Sequence, residues 1–136
     1  MNNSAFVQHG DIMDDVLESL SKLPQLSYYN KIMEIDDDNN TILSFYKDHY
    51  FYCFSVKKII VGYDSYIFEI NFNFISPRKE KDYIIKNFLI KEKFKSSKAR
   101  NKNIYRKFIL TMENVSEEFI GMVIRMGDLC KKIDLN

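Results

Sequence analysis

The sequence predicts an α+β domain: an antiparallel meander sheet with helices at the N-terminus, in the middle and at the C-terminus, packed on one sheet face. Three observations predict it. Apolar residues recur at helical spacing near both ends of the chain. Between those ends, residues 26–75 alternate with period two. At Ser76-Pro77 the period changes back, with a serine suited to cap a helix and a proline suited to its first turn. Strands that bunch together with helices at their flanks give α+β order, not βαβ repeats.

Residues 11–23, DIMDDVLESLSKL, place Ile12, Val16, Leu20 and Leu23 on one helical face, with Met13 and Leu17 beside them. Asp11, Asp14 and Asp15 suit the positive end of that helix dipole, and Pro24 stops the helix. Residues 26–35 read as a strand, DDDNN at 36–40 as turn chemistry, and Thr41 to Tyr46 as a second strand. Tyr50, Tyr52, Phe54 and Val56 alternate with Phe51, Cys53, Ser55 and Lys57 in a third strand, and residues 62–65 turn the chain. Residues 66–75 give the cleanest alternation. Tyr66, Phe68, Ile70, Phe72 and Phe74 face one side, and Glu69, Asn71 and Asn73 the other.

Residues 77–94 then predict a helix with an apolar stripe of Ile84, Ile85, Phe88 and Leu89, although YIIKNFLI also admits a strand. From 95 to 103 the only apolar residue is Ala99, which predicts a mobile basic loop. Residues 104–112 return to strand alternation through Phe108, Leu110 and Met112. Ser116 caps a last helix with Glu117 and Glu118 in its first turn. Its apolar face carries Phe119, Met122, Val123, Met126, Cys130 and Ile133, which should bury Phe68, Ile70, Phe72 and Phe74. The expected order is α-β-β-β-(β)-α-β-α in a single domain, residues 1–136.

Net charge is +1, but it is unevenly spread. Residues 1–76 carry 5 Lys against 11 Asp and Glu, and residues 77–136 carry 15 Lys and Arg against 8 Asp and Glu. An acidic pole and a basic pole follow if the fold keeps the halves apart. Ile, Lys, Asn, Phe and Tyr supply 17, 16, 12, 11 and 9 residues, which points to an AT-rich genome, bacterial or phage, and explains much of the lysine excess. No apolar run reaches the length of a membrane helix, so no membrane partner is expected. The stretch MNNSAFVQHGDIMDD lacks a signal peptide's pattern, and two cysteines are too few for a disulfide scaffold. A cytoplasmic setting is the expectation.

Catalytic chemistry finds little to work with. His9 and His49 have no second ligand at metal spacing, and no CxxC occurs. Asp36, Asp38 and Asn40 match the first alternating ligands of an EF-hand loop, but Thr41 replaces its glycine and Lys47 its bidentate glutamate. His49 and Cys53 stand four apart along a strand, roughly 13 Å, beyond the reach of a nucleophile–base pair. No phosphate loop, GxGxxG or GxSxG occurs. The expectation is a non-enzyme with no metal and no cofactor.

The opening DIMDDVLESLSKL, the strands through YIFEINFNF, the helix near DYIIKNFLI and the ending FILTMENVSEEFIGMVIRMGDLCKKI follow an architectural order. That order resembles the type III secretion chaperone-like and YbjN-like proteins. The pattern shows one strand between the last two helices, where that family has two. The resemblance implies a non-enzymatic, dimeric protein that binds another polypeptide.

A second class, a small immunity protein or inhibitor of the toxin–antitoxin kind, needs only a stable scaffold and one charged face. Binding to another protein, a toxin or effector, is therefore the expected function, with inhibition ahead of chaperoning. The acidic pole of Asp11, Asp14, Asp15, Asp36, Asp37 and Asp38 is the expected partner site, because a toxin that acts on nucleic acid is basic around its active site. The alternative is a nucleic-acid-binding or anti-defence protein that uses the basic segment 78–107, through Lys91, Lys93, Lys95, Lys98, Arg100 and Lys102.

Overall fold

A computed structural model describes residues 16–47, 51–61, 65–72, 82–96, 104–111 and 117–135. The fold is α+β. A six-stranded antiparallel sheet of order β1-β2-β3-β4-β6-β5 stands with three helices. Helix α1 is described over residues 16–21, and the turn that Pro24 opens is a 3-10 turn, Pro24–Leu26. The strands are β1 (Asn30–Ile35), β2 (Thr41–Lys47), β3 (Phe51–Ile60) and β4 (Ser65–Phe72), then β5 (Lys95–Ser96) and β6 (Ile104–Thr111). Helix α2 runs Asp82–Lys91 and helix α3 runs Glu117–Leu135.

Two expectations need correction, and one alternative is settled. The first strand starts at Asn30, not at residue 26, because Pro24 fixes its φ and starts a tight turn first. The segment containing YIIKNFLI is helical over Asp82–Lys91, as expected, and not a strand. The expected loop 95–103 opens with a strand: Lys95 pairs with Tyr105 and Ser96 with Ile104. A two-residue lysine–serine strand carries no apolar alternation, so nothing in the pattern signals it. Residues 97–103, Phe74, Met112 and Ser116 lie outside the described residues.

The register decides which side chains meet. Leu43 pairs with Val56, Val56 with Ile70, and Phe45 with Phe54, which in turn pairs with Phe72. All six are buried. The β2–β3 register shifts between Phe45 and Tyr46, so Phe45 faces Phe54 while Tyr46 faces Tyr52. Cys53 is the extra residue of this bulge. The sequence's strict alternation breaks there, and Cys53, Phe54, Ser55 and Val56 are buried in succession.

Helix α3 lies against the apolar residues of β4 and β6. The Phe119 ring sits 5.0 Å from Phe68 and 5.4 Å from Phe108, centroid to centroid. Phe119, Met122, Val123, Met126, Cys130 and Ile133 are buried at three- and four-residue intervals, as the spacing predicts. Farther along, the Tyr29 hydroxyl donates to the Gly127 carbonyl, and its ring meets Phe54 edge-on at 5.6 Å. Burial pushes the Tyr29 phenol well above its ordinary range, so it stays a neutral donor. Phe68, Ile70 and Phe72 are buried as expected.

Candidate functional site

The strand order places the described parts of the two charged regions, Asp36, Asp37 and Asp38 and Lys91, Lys93 and Lys95, on opposite sheet edges. β1 and the turn after it form one edge; β5, β6 and the end of α2 form the other.

The β1–β2 turn is built by Asp36. Its Oδ1 accepts the N–H groups of Asp38 and Asn40, each at 2.9 Å, and Asn39 takes a left-handed φ of 63°. Oδ2 meets Lys57 Nζ at 3.0 Å. The Asn40 N–H and then Lys57 hold the Asp36 carboxyl below its ordinary value. Asp36 is thus a turn-building residue, while Asp37 and Asp38 project into water. Asp11, Asp14 and Asp15 lie outside the described residues.

Beside this turn, β1 leaves Ile32, Met33 and Ile35 at 44%, 45% and 71% exposure. Met33, Glu34, Ile35 and Thr41 line an open hollow of about 480 Å³ together with Glu18 of α1. Glu18 holds Lys22 at 3.0 Å. Among the described residues, Glu34, Asp37 and Asp38 have no ion-pair partner. The edge is therefore apolar in its middle and net acidic, with Lys31 against Glu34, Asp37 and Asp38. Sequence reasoning found the turn but not the apolar edge, since alternation reveals a strand without revealing its neighbours.

β1 also presents unused backbone. The Asp36 N–H donates to the Asn40 carbonyl at 2.9 Å, which marks 36/40 as a hydrogen-bonded pair. Antiparallel pairs alternate, so Glu34/Ile42 and Ile32/Ser44 exchange bonds, while Ile35/Thr41, Met33/Leu43 and Lys31/Phe45 do not. The N–H and C=O groups of Lys31, Met33 and Ile35 consequently point away from β2, and no strand among the described residues pairs with them.

At the opposite edge, Lys91, Lys93 and Lys95 are exposed, while Lys98, Arg100 and Lys102 lie outside the described residues. Lys93, Lys95, Tyr105, Arg106 and Lys107 line a hollow of about 330 Å³. Two of its four cations, Arg106 and Lys107, are already engaged. Arg106 meets Glu118 Oε1 at 2.6 Å and donates to the Glu92 carbonyl at 3.1 Å. Lys107 lies 3.8 Å from Glu69, its partner across the β4–β6 ladder. Glu92 also accepts both Nε and Nη2 of Arg125, at 2.8 and 3.0 Å, a fork that ties the end of α2 to α3. Sequence reasoning missed this network, whose members are 12 to 33 residues apart.

Among the described residues, no group of three or more His, Cys, Asp or Glu side chains could hold a metal ion. Cys53 and Cys130 are buried and are not joined in a disulfide. No described helix is long and apolar enough to cross a membrane. No protein family, no curated protein and no solved structure matches the chain.

Proposed function

We propose that this chain is a non-enzymatic, cytoplasmic protein-binding domain that sequesters or neutralises another polypeptide, as an immunity protein or inhibitor does, or as a secretion chaperone does. The observation that carries this reading is β1, an outer strand with open backbone groups, exposed Ile32, Met33 and Ile35, and an acidic rim. Natural sheets blunt exposed apolar edges with cover, bulges or charge, so one left open marks a binding surface. Glu34, Asp37 and Asp38 suit a basic target such as a nucleic-acid-acting toxin, and long-range attraction speeds encounter with it. The short β5 supports the chaperone-like side of the reading. It gives two strands between α2 and α3, the number found in the family that the sequence resembles.

The test starts from the product of the adjacent gene, purified and titrated calorimetrically. A one-to-one complex that Ile35→Lys weakens supports the reading. The nucleic-acid alternative has one observation in its favour, the hollow that combines Lys93, Lys95 and Lys107 with Tyr105. A fluorescence-anisotropy salt series decides between them. Micromolar binding to duplex or single strand with a steep salt slope, lost on neutralising Lys91, Lys93, Lys95, Lys98, Arg100 and Lys102, would replace the protein-partner reading.

A further inference from the structure

We infer that β1 binds its partner by strand addition: an extended segment carrying lysine or arginine joins the sheet as a seventh strand. This rests on the protein-binding reading above and names its mode and its ligand. Three independent features converge. The outward N–H and C=O groups of Lys31, Met33 and Ile35 form a half-ladder of the kind an added strand completes. The side chains of Met33 and Ile35 stand exposed on the same strand and line the hollow with Thr41, a seat for one apolar side chain of the incoming segment. The remaining lining groups are the carboxylates Glu18 and Glu34, and Asp37 and Asp38 follow in the turn.

Charge selects the occupant. A second copy paired antiparallel through its own β1 would set one net-acidic edge, Lys31 against Glu34, Asp37 and Asp38, beside another, which costs affinity. A basic segment meets the same groups with attraction. Apolar residues at every other position fill the hollow, and lysine or arginine between or beside them reaches the rim.

Purified full chain is tested with three synthetic peptides of about nine residues. One alternates valine with lysine, one alternates valine with glutamate, and one repeats the first with a central proline. The valine–lysine peptide should bind about tenfold or more tightly than either of the others, and added salt should narrow its lead over the glutamate peptide. Amide hydrogen exchange reads the mode directly. In the free protein, the Lys31, Met33 and Ile35 amides should exchange much faster than those of Ile32 and Glu34, which are bonded to β2. The peptide should slow those three selectively. Met33→Pro removes one outward N–H and leaves the β1–β2 ladder intact, so it should abolish peptide binding while holding the urea midpoint. Ile35→Lys, which needs no backbone change, should weaken the basic peptide more than the acidic one.

Equal binding of the three peptides, or none, overturns the inference. So does slow exchange of Lys31, Met33 and Ile35 in the free chain, or self-association that Met33→Pro abolishes. If the adjacent gene's product binds but Met33→Pro leaves its affinity unchanged, strand addition fails while protein binding stands. If only nucleic acid binds, both fail.

Discussion

Helix α3 contains two glycines whose replacement by alanine should act in opposite directions. Alanine gains about 1 kcal/mol over glycine in a helix interior, because it loses less backbone freedom on folding. At Gly121 an added Cβ meets Arg125 Nη1 at 3.1 Å, the far end of a flexible side chain. A few tenths of an ångström of yield at Arg125 keeps its fork on Glu92, so Gly121→Ala should stabilise the protein by about 0.5–1 kcal/mol. At Gly127 the same Cβ falls 2.5 Å from Leu26 Cδ2 and 3.4 Å from Tyr29 Cε2. Leu26 is wholly buried and has no solvent to move into. Either the leucine leaves its rotamer or α3 lifts, an overpacking cost of about 1–3 kcal/mol. Lifting the helix also stretches the bond from Tyr29 to the Gly127 carbonyl. Gly127→Ala should therefore lose about 1 kcal/mol net of the propensity gain.

The two variants should differ by about 2 kcal/mol, or roughly 1 M in urea midpoint for a domain of this size. Urea titration followed by circular dichroism measures the difference, and an unchanged m confirms that stability and not compactness has moved. Tyr29→Phe in the Gly127→Ala background should cost less than in the wild type, since the strained bond is shared. Equal stabilisation by both alanines would refute the close seating of α3 on Leu26 and Tyr29.

Three further outcomes are expected. Phe68 is wholly buried against Phe119, so Phe68→Ala should cost about 3–5 kcal/mol in urea unfolding. Lys93 takes a left-handed φ of 62° after α2. The Phe94 N–H there bonds the Leu89 carbonyl, and the Lys93 N–H bonds that of Ile90, a Schellman closure that favours glycine at its left-handed position. Lys93→Gly should raise stability by about 1 kcal/mol, where a glycine in any right-handed position would lower it. Asp36→Asn keeps the turn's acceptor and removes the charge held by Lys57. The folded carboxyl lies below its ordinary 3.8, so the wild type's advantage is present above that pH and closes as pH falls through the folded value. An advantage that persists to the lowest pH at which both fold would refute the charge assignment.

The fold was legible wherever side-chain period and burial coincide. β4 alternates the four core residues Tyr66, Phe68, Ile70 and Phe72, and α3 repeats its apolar face through five turns, so both emerged with their core residues. Strand β5 did not, because two exposed residues at an edge need no apolar partner and leave no period. The β3 bulge did not either, since one inserted residue shifts the alternation without altering composition. The candidate site was legible only in its chemistry. The aspartates of the turn can be read from DDDNN, but only the Asp36 bonds separate the turn-building residue from the two that project. That β1 is an edge, and that its apolar residues stay exposed, depends on strand order. Short-range pattern does not encode strand order.

Strand order also decides whether the two charged poles cancel. β1 and β5 stand five ladder steps apart, about 24 Å at the usual strand spacing. That is about three Debye lengths at physiological salt, so each edge acts largely alone on a ligand at its surface. Within each edge the balance differs. At the basic edge, Arg106, Arg125 and Lys107 already face Glu118, Glu92 and Glu69, and their attraction is spent on holding α2, α3 and β6 together. At the acidic edge, Asp36 is spent on the turn and Glu18 on Lys22, but Glu34, Asp37 and Asp38 have no ion-pair partner among the described residues and stand beside exposed apolar side chains. The basic hollow has Arg106 and Lys107 engaged and keeps Lys93 and Lys95 exposed for a phosphate backbone. An edge with open backbone, apolar side chains and unpaired carboxylates offers a basic polypeptide three kinds of contact at once. The open backbone and the exposed apolar side chains of β1, more than the sign or the unpaired charge of either pole, are what support the protein-partner reading proposed above.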